Sequence, residues 1–221
     1  MKEIDINNWC RRAQYYNFIK YTQPIFSIGT KLDVTNLVLF CKKNRLSFFS
    51  SFLYVVIKCM NAFTEWRTRI IGEKVVVFDK IHPSYIVLRE SEQIITCLTE
   101  MQDDFSLFYN KTRKDIESTK NENKTVFNSI QREDLIYISC LPWINFISVL
   151  NPYNFADKSQ TSIPRVTWGK YSVKNDGKYE LPFDVSAHHA LVDGIHVAKL
   201  FRHIEEALEN LEEFIGETYE R

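Results

Sequence analysis

The sequence predicts an α/β protein, a two-layer sandwich in which a mixed β-sheet is covered by helices. Seven short segments rich in β-branched and aromatic residues are bounded by turn residues, which is how strands read. Two longer segments carry helical patterning instead. Strands and helices do not alternate regularly, so helices are expected on one side of the sheet. No internal repeat and no Gly/Pro/Ser-rich linker divides the chain, and residues 1–221 read as one domain.

Along the chain, Phe48 to Phe63 is apolar on nearly every side, which at that length predicts a buried helix. Val75–Phe78, Tyr85–Leu88 and Ile94–Leu98 read as strands, with Ile71-Gly72 and His82-Pro83 among the bounding turns. The polar stretch Ser118–Thr125 reads as a surface loop. Ile136–Leu141, Phe146–Leu150, Val166–Val173 and Tyr179–Ser186 complete the strands, with Asn175-Asp-Gly177 as a turn before the last of them. From Gly194 the spacing changes: Val197, Phe201, Ile204, Leu208, Leu211 and Ile215 recur four and three apart, one stripe of an amphipathic helix. Glu205, Glu206, Glu209 and Glu212 occupy its solvated face.

Composition narrows the classes. With 28 Lys+Arg against 28 Asp+Glu the chain carries no net charge, so no nucleic-acid partner is expected. Neutrality also removes the self-repulsion that keeps monomers apart. A content of 45% hydrophobic residues, with 16 Phe, 11 Tyr and 4 Trp, supports a large aromatic-rich core and excludes disorder. The start, MKEIDINNWCRR, lacks the pattern of a secretory leader, and the longest apolar runs, near Phe48–Ile57 and Leu141–Leu150, fall short of the roughly 18 to 20 residues that span a bilayer. A cytoplasmic protein without a membrane partner is expected. Cys10, Cys41, Cys59, Cys97 and Cys140 are odd in number and never form C-x-x-C, against both a disulfide framework and a zinc site; no metal is expected. The N-x-T sequons at Asn110 and Asn123 carry no weight without a secretory signal.

The densest cluster of catalytically useful residue types is Ser186-Ala-His-His-Ala-Leu-Val-Asp-Gly-Ile-His196, where the last strand gives way to the C-terminal helix. Read by itself, it is either a pair of turn histidines before a helix capped by Asp193, or a catalytic H-x-x-x-D-G arrangement. Gly194 offers the backbone freedom for a tight turn, and spacing leaves open whether Asp193 touches His189. His82, His196 and His203 have no partner pattern and are assigned no chemistry.

His188-His189-Ala-Leu-Val-Asp193-Gly194 resembles the H-H-x-x-x-D-G active-site signature of the chloramphenicol acetyltransferases. H-x-x-x-D-G alone is shared with the acyltransferase cores of 2-oxo-acid dehydrogenase complexes, plant acyltransferases and peptide-synthetase condensation domains. Further blocks narrow the resemblance: Asn8-Trp9-Cys-Arg11-Arg12, Met60-Asn-Ala-Phe-Thr-Glu65-Trp-Arg67, Val77-Phe-Asp-Lys-Ile-His82-Pro83, Ile138-Ser139-Cys-Leu-Pro142-Trp143-Ile-Asn-Phe146 and Thr167-Trp-Gly-Lys170-Tyr171 are similar to family blocks in the same order. The resemblance runs from Trp9 to about Leu208 and implies the acetyl-CoA-dependent acyltransferase fold.

The resemblance implies the following roles. His189 is the general base that takes the proton of an acceptor hydroxyl as it attacks the acetyl-CoA thioester, chemistry suited to an imidazole with an ordinary pKa of roughly 6.5. Its tautomer is held by its own backbone, and no acyl-enzyme forms. Asp193 is structural, paired with Arg11. Ser139 donates to the oxyanion, with Thr167 assisting through water. Ser139 alone could equally be a small core residue. Cys140 and His188 alternate away from the side of Ser139 and His189 and are expected to take no part.

Phe18, Thr22, Pro24, Phe26, Ile95, Cys97, Phe127 and Leu150 match acceptor-lining positions, mostly apolar as an aryl-bearing acceptor requires. Departures fall at Phe18, Pro24 and Ile95, changes of a size that alters discrimination by about 1 to 3 kcal/mol. Ser47 stands where many members carry a lysine near the CoA phosphates, leaving Lys170 and Arg45 as the CoA-binding candidates. The family implies a homotrimer with active sites at subunit interfaces, inactivating chloramphenicol by acetylating its primary hydroxyl. Two other readings stay open: the same transfer to a different hydroxylated acceptor, and a non-catalytic member that binds a small apolar ligand or a protein partner. A dehydrogenase-complex core is disfavoured because no lipoyl domain or linker is seen.

Overall fold

The computed structural model describes residues 1–121 and 132–216. In chain order the elements are β1 (Lys2–Glu3), α1 (Arg12–Phe18), β2 (Ile25–Asp33), α2 (Thr35–Asn44), α3 (Phe48–Asn61), β3 (Thr68–Ile71), β4 (Lys74–Val77), β5 (His82–Leu88), β6 (Ile94–Leu98), α4 (Phe105–Asn121), β7 (Leu135–Leu141), α5 (Lys158–Ser162), β8 (Arg165–Gly169), β9 (Ser172–Val173), β10 (Tyr179–His188), α6 (Gly194–Glu209) and α7 (Leu211–Ile215). The main sheet has the order β2-β10-β8-β7-β5-β6, with β9 paired to β10. β7 runs parallel to β5 and β8 and the remaining pairings are antiparallel, so the sheet is mixed.

The helical layer is centred on α3, which contacts α2, α4, α6 and β5. Phe52 to Ile57 are all 0% exposed, so the helix is enclosed on every side and its lack of a polar stripe is explained. Burying Phe52, Leu53 and Ile57 contributes about 1.5–3 kcal/mol each. Ser47 begins the helix: its backbone is extended, with φ −71° and ψ 121°, and its Oγ accepts from the Ser50 N–H at 3.4 Å. In α6 the buried stripe is Val197, Leu200, Ile204, Ala207 and Leu208.

The structure corrects several expectations. Val75–Val77 pair with β1 and β3 in a separate three-stranded sheet, not with the main one. Phe146–Leu150 is not a strand: the chain from 142 to 157 is irregular and folds back over the sheet, where the Lys170 N–H donates to the Ile144 carbonyl at 2.7 Å. Gly169 permits that approach, since a Cβ there would lie 2.6 Å from the Ile144 oxygen and 2.8 Å from Pro182 Cγ. Val166–Val173 is interrupted at Lys170 and Tyr171. The C-terminal stripe breaks at Asn210, so Leu211 and Ile215 belong to α7. α4 runs through Ser118 to Asn121, and the remainder of the expected loop lies outside the described residues. The strand β2 and the helices α1, α2 and α4 were not legible as elements in the sequence.

Candidate active site

β10 ends at His188, still paired with Ile25 of β2, and the chain then turns into α6. His188 ties the turn: its carbonyl accepts from Leu191 N at 2.9 Å and Val192 N at 3.1 Å, and its Nδ1 accepts from Ala190 N at 3.1 Å. His188 is 3% exposed and serves the turn. Gly194 does not supply the tightness expected of it. It has no left-handed φ, and a Cβ there would meet nothing within 4 Å.

His189 follows, its N–H donating to the Pro24 carbonyl at 2.8 Å. The imidazole stacks on Phe18, with centroids 3.9 Å apart and planes 4° from parallel, and leans on Phe26 at 4.5 Å. Its Nδ1 is 3.2 Å from Asp193 Oδ1 but buried without hydrogen-bond geometry to any described residue. The His189 carbonyl accepts from Arg11 Nη2 at 3.3 Å. A carboxylate beside Nδ1 favours the tautomer protonated there, which leaves Nε2 with its lone pair.

Asp193 is held from two sides. Arg11 donates Nη1 to Oδ2 at 2.5 Å and Nη2 to Oδ1 at 3.0 Å. The Arg11 guanidinium keeps the carboxyl below the usual carboxylate range. The Asp193 N–H donates to His196 Nδ1 at 2.9 Å, so His196 accepts with a neutral ring, in keeping with burial lowering its pKa. Arg11, expected as a partner from the N-terminal segment, is brought to this turn across the fold.

The second group of residues lies elsewhere on the sheet. Strand register puts Ser139 beside Thr167 and Thr167 beside Asp184. Tyr137, Arg165 and Ser186 form the neighbouring row on the same face. Asn151, from the irregular segment, fixes both rows: Thr167 Oγ1 donates to Asn151 Oδ1 at 3.4 Å, and Asn151 Nδ2 donates to Ser186 Oγ at 3.2 Å. Asp184 accepts from Ser27 Oγ at 2.5 Å, and burial raises its pKa. Cys140 faces the core side, its thiol pushed up to about 12 by burial, which removes it as a nucleophile.

Ser139 and His189 do not meet within the chain. His189 lies five residues beyond Asp184 along the β10 direction, and Ser139 lies two strands across from Asp184. At about 3.4 Å per residue and about 4.8 Å per strand, they are roughly 20 Å apart.

The acceptor-lining candidates divide accordingly. Phe18, Pro24 and Phe26 surround His189, and Thr22 is exposed in the bend between α1 and β2. Leu150 is 89% exposed beside the Ser139 group's covering segment. Ile95 and Cys97 are corrected. They pair with Val87 and Tyr85 on the face that also carries Ile138, opposite Ser139, and are 5% and 2% exposed. Alternation puts Ile94 and Thr96 on the Ser139 side instead. Phe127 lies outside the described residues.

Arg45 sits in the left-handed region (φ 55°) after α2 and, with Lys42, Phe48 and Tyr171, lines a cleft of about 360 Å³. Lys170 is exposed next to Tyr171. Lys42, not anticipated from the sequence, donates to the Tyr179 hydroxyl at 2.7 Å. A larger cleft of about 640 Å³, between α2 and the α6–α7 junction, is remote from both groups. Among the described residues no group of three His, Cys, Asp or Glu is placed to hold a metal, and no helix is long and apolar enough to cross a membrane.

A family model described as chloramphenicol acetyltransferase matches residues 1–205. A chloramphenicol acetyltransferase of Escherichia coli is 29% identical over 204 residues, covering 92% of this chain and 91% of that protein. A chloramphenicol acetyltransferase 3 of the same organism is 30% identical over 207 residues, covering 92% and 95%. A solved chloramphenicol acetyltransferase superposes with a TM-score of 0.86 at 26% identity, covering 94% of this chain and all of that one. The cubic core of a pyruvate dehydrogenase complex shares the fold at a TM-score of 0.67 and 13% identity.

Proposed function

The chain belongs to the chloramphenicol acetyltransferase family and is an acyltransferase enzyme, and from that premise we propose that it transfers the acetyl group of acetyl-CoA to the primary hydroxyl of chloramphenicol, giving antibiotic resistance. The observation that carries the proposal is His189: its Nδ1 is turned to the Arg11-neutralised carboxylate of Asp193, its faces are packed on Phe18 and Phe26, and Nε2 is left to meet a hydroxyl.

His189 takes the proton of the acceptor hydroxyl as its oxygen bonds to the thioester carbonyl carbon. The Ser139 hydroxyl donates to the developing oxyanion. On collapse the C–S bond breaks, and His189 returns the proton to the departing CoA thiolate, so no enzyme side chain is acetylated. Thr167 acts beside Ser139 through water, its own proton occupied by Asn151. Base catalysis of this kind supplies typically about 10² to 10⁴ in rate, and an oxyanion donor about 10² to 10³. Lys42, Arg45 and Lys170 supply cations for the CoA phosphates where Ser47, committed to capping α3, cannot.

The roughly 20 Å between Ser139 and His189 supports a site assembled from two copies, Ser139 facing the partner subunit's His189, in a homotrimer. Exposed apolar side chains near the Ser139 group support the same reading, with Trp143, Ile147 and Leu150 exposed by 63%, 97% and 89%. Location in the cytoplasm belongs to this reading.

Thiol release from acetyl-CoA with chloramphenicol, run beside His189→Ala, tests the proposal. Abolished turnover with retained folding is expected, and substantial residual turnover in that variant would remove His189 as the base. A second reading, the same transfer to a different hydroxylated acceptor, is favoured by Arg165 on the Ser139 face.

A further inference from the structure

Arg165 stands two residues before Thr167 on β8, so both side chains rise from the same face. Register places it between Tyr137 and Ser186, one row from Ser139 and Thr167. The CoA cleft at Tyr171 lies past the other end of β8. Arg165 therefore sits on the side of Ser139 away from that cleft, where an acceptor has to approach the thioester.

Its guanidinium carbon is 3.8 Å from the ring centroid of Tyr153 and 5.6 Å from that of Tyr137. Nε is buried with no hydrogen-bond partner. Among the described residues no hydrogen bond or ion pair reaches the guanidinium. The acidic side chains that act on its two tyrosine neighbours are engaged otherwise: Asp184, felt by Tyr153, with Ser27, and Asp157, felt by Tyr137, with the N–H groups of Ser159 and Gln160. The Tyr137 hydroxyl donates away, to Gln160 Oε1 at 2.7 Å. Burial lowers the Arg165 pKa, as expected of a guanidinium without a counter-charge. Desolvating a cation without an anion is costly. The two rings hold it in place through cation–π contact, but they accept no hydrogen bond in its plane. A fully apolar acceptor would leave that cost uncompensated, whereas a carboxylate would take two parallel N–H donors at once.

We propose that Arg165 is a specificity-determining residue that receives a carboxylate of the acceptor, so that the preferred substrates are hydroxylated aryl carboxylates whose primary alcohol is acetylated. This rests on the acetyl-transfer reading above in its second form, transfer to a hydroxylated acceptor other than chloramphenicol, and names the substrate class of that same site. Tyr137 and Tyr153 are the aromatic walls on either side of the bound anion.

The test compares 4-(2-hydroxyethyl)benzoate with its methyl ester as acceptors, by kcat/KM for CoA release and by calorimetric binding of each to the CoA-loaded protein, in the native chain and in Arg165→Ile and Arg165→Lys. The carboxylate is expected to be preferred by about 10-fold or more in both measurements, the size of a charge-assisted hydrogen bond. Arg165→Ile should abolish the preference by bringing kcat/KM for the carboxylate down to that for the methyl ester, and Arg165→Lys should retain part of it. Equal use of the two acceptors by the native chain overturns the proposal and leaves acetyl transfer standing. Carboxylate-selective binding without CoA release from any acceptor supports the anion site and removes the acetyl-transfer reading. Dissociation of the oligomer in Arg165→Ile, with no acceptor preference in the native chain, overturns the proposal by assigning the counter-ion to a second copy.

Discussion

Replacing Arg11 by alanine isolates what holds the turn at His189. The Arg11 side chain is 9% exposed and that of Asp193 26%. Breaking a buried pair from one side costs about 3–5 kcal/mol, and the partial exposure of Asp193 reduces this to about 2–4 kcal/mol. Loss of the Arg11 bond to the His189 carbonyl falls within that range. At about 2–4 °C per kcal/mol for a chain of this size, the midpoint should fall by about 5–15 °C at fixed protomer concentration. Asp193→Leu should cost as much or more, since it strands the more buried partner. The double variant Arg11→Met with Asp193→Leu should be less destabilised than the sum of the two by at least about 1.5 kcal/mol. The pH dependence has a definite sign. Arg11 depresses the Asp193 pKa in the folded protein, so the stabilisation is present above the unfolded value near 3.9 and is lost as pH falls through the folded value. Thermal melts from pH 7 to pH 3 should thus show the native chain losing its advantage over Arg11→Ala only at the acid end. A single-variant loss below about 1 kcal/mol, or an advantage independent of pH, would refute the assignment of a buried, coupled pair.

Other substitutions separate the parts of the site. Gly169→Ala should destabilise the chain by about 1–3 kcal/mol and lower kcat/KM, because a Cβ 2.6 Å from the Ile144 oxygen displaces the segment that carries Asn151; unchanged melting and turnover would contradict that packing. Ile95→Ala should cost about 2–4 kcal/mol with little change in acceptor KM. Ile94→Ala, at a residue 39% exposed, should leave the melt nearly unchanged and shift acceptor KM; the reverse outcome would put the register of β6 in error. Arg45→Ala with Lys42→Ala should raise the KM for acetyl-CoA by about tenfold and leave acceptor KM alone, as loss of charge-assisted phosphate contacts requires.

Much of the fold was legible because its signals are local. The buried helix over Phe48–Asn61 and the helix from Gly194 follow from periodicity, and β5, β6, β7 and β10 follow from β-branched and aromatic runs. Strand β2 was missed because Ile25–Asp33 carries Ser27, Gly29, Thr30 and Lys31 on a half-exposed strand, which dilutes the apolar signal. The apparent strand at Phe146–Leu150 fails because Ile147 and Leu150 face outward and meet no apolar layer among the described residues. Composition cannot distinguish a core residue from one that awaits another copy.

The site was legible in residue type but not in placement. The H-H-x-x-x-D-G segment pointed to His189 and Asp193, and the resemblance of Asn8-Trp9-Cys-Arg11-Arg12 to a family block implied the Arg11–Asp193 pair, which the structure forms. The one-residue choice between Ile94 and Ile95 depends on pleat direction, which strand register fixes and short apolar runs do not. Arg165 and Asn151 carried no motif. A charged residue next to an apolar strand usually marks an edge, and only the row it shares with Tyr137 and Ser186 shows it on the site face.

Complementation between two inactive variants tests most directly whether Ser139 and His189 act together across a subunit boundary. Ser139→Ala and His189→Ala are each purified, mixed in equal amounts, dissociated, reassembled and assayed for thiol release from acetyl-CoA. If each site takes Ser139 from one chain and His189 from the partner subunit, random reassembly restores about a quarter of the native sites. Recovery of about 25% of native activity is the predicted result. No recovery above that of the separate variants, with reassembly confirmed by the oligomer mass, would contradict a site shared between copies.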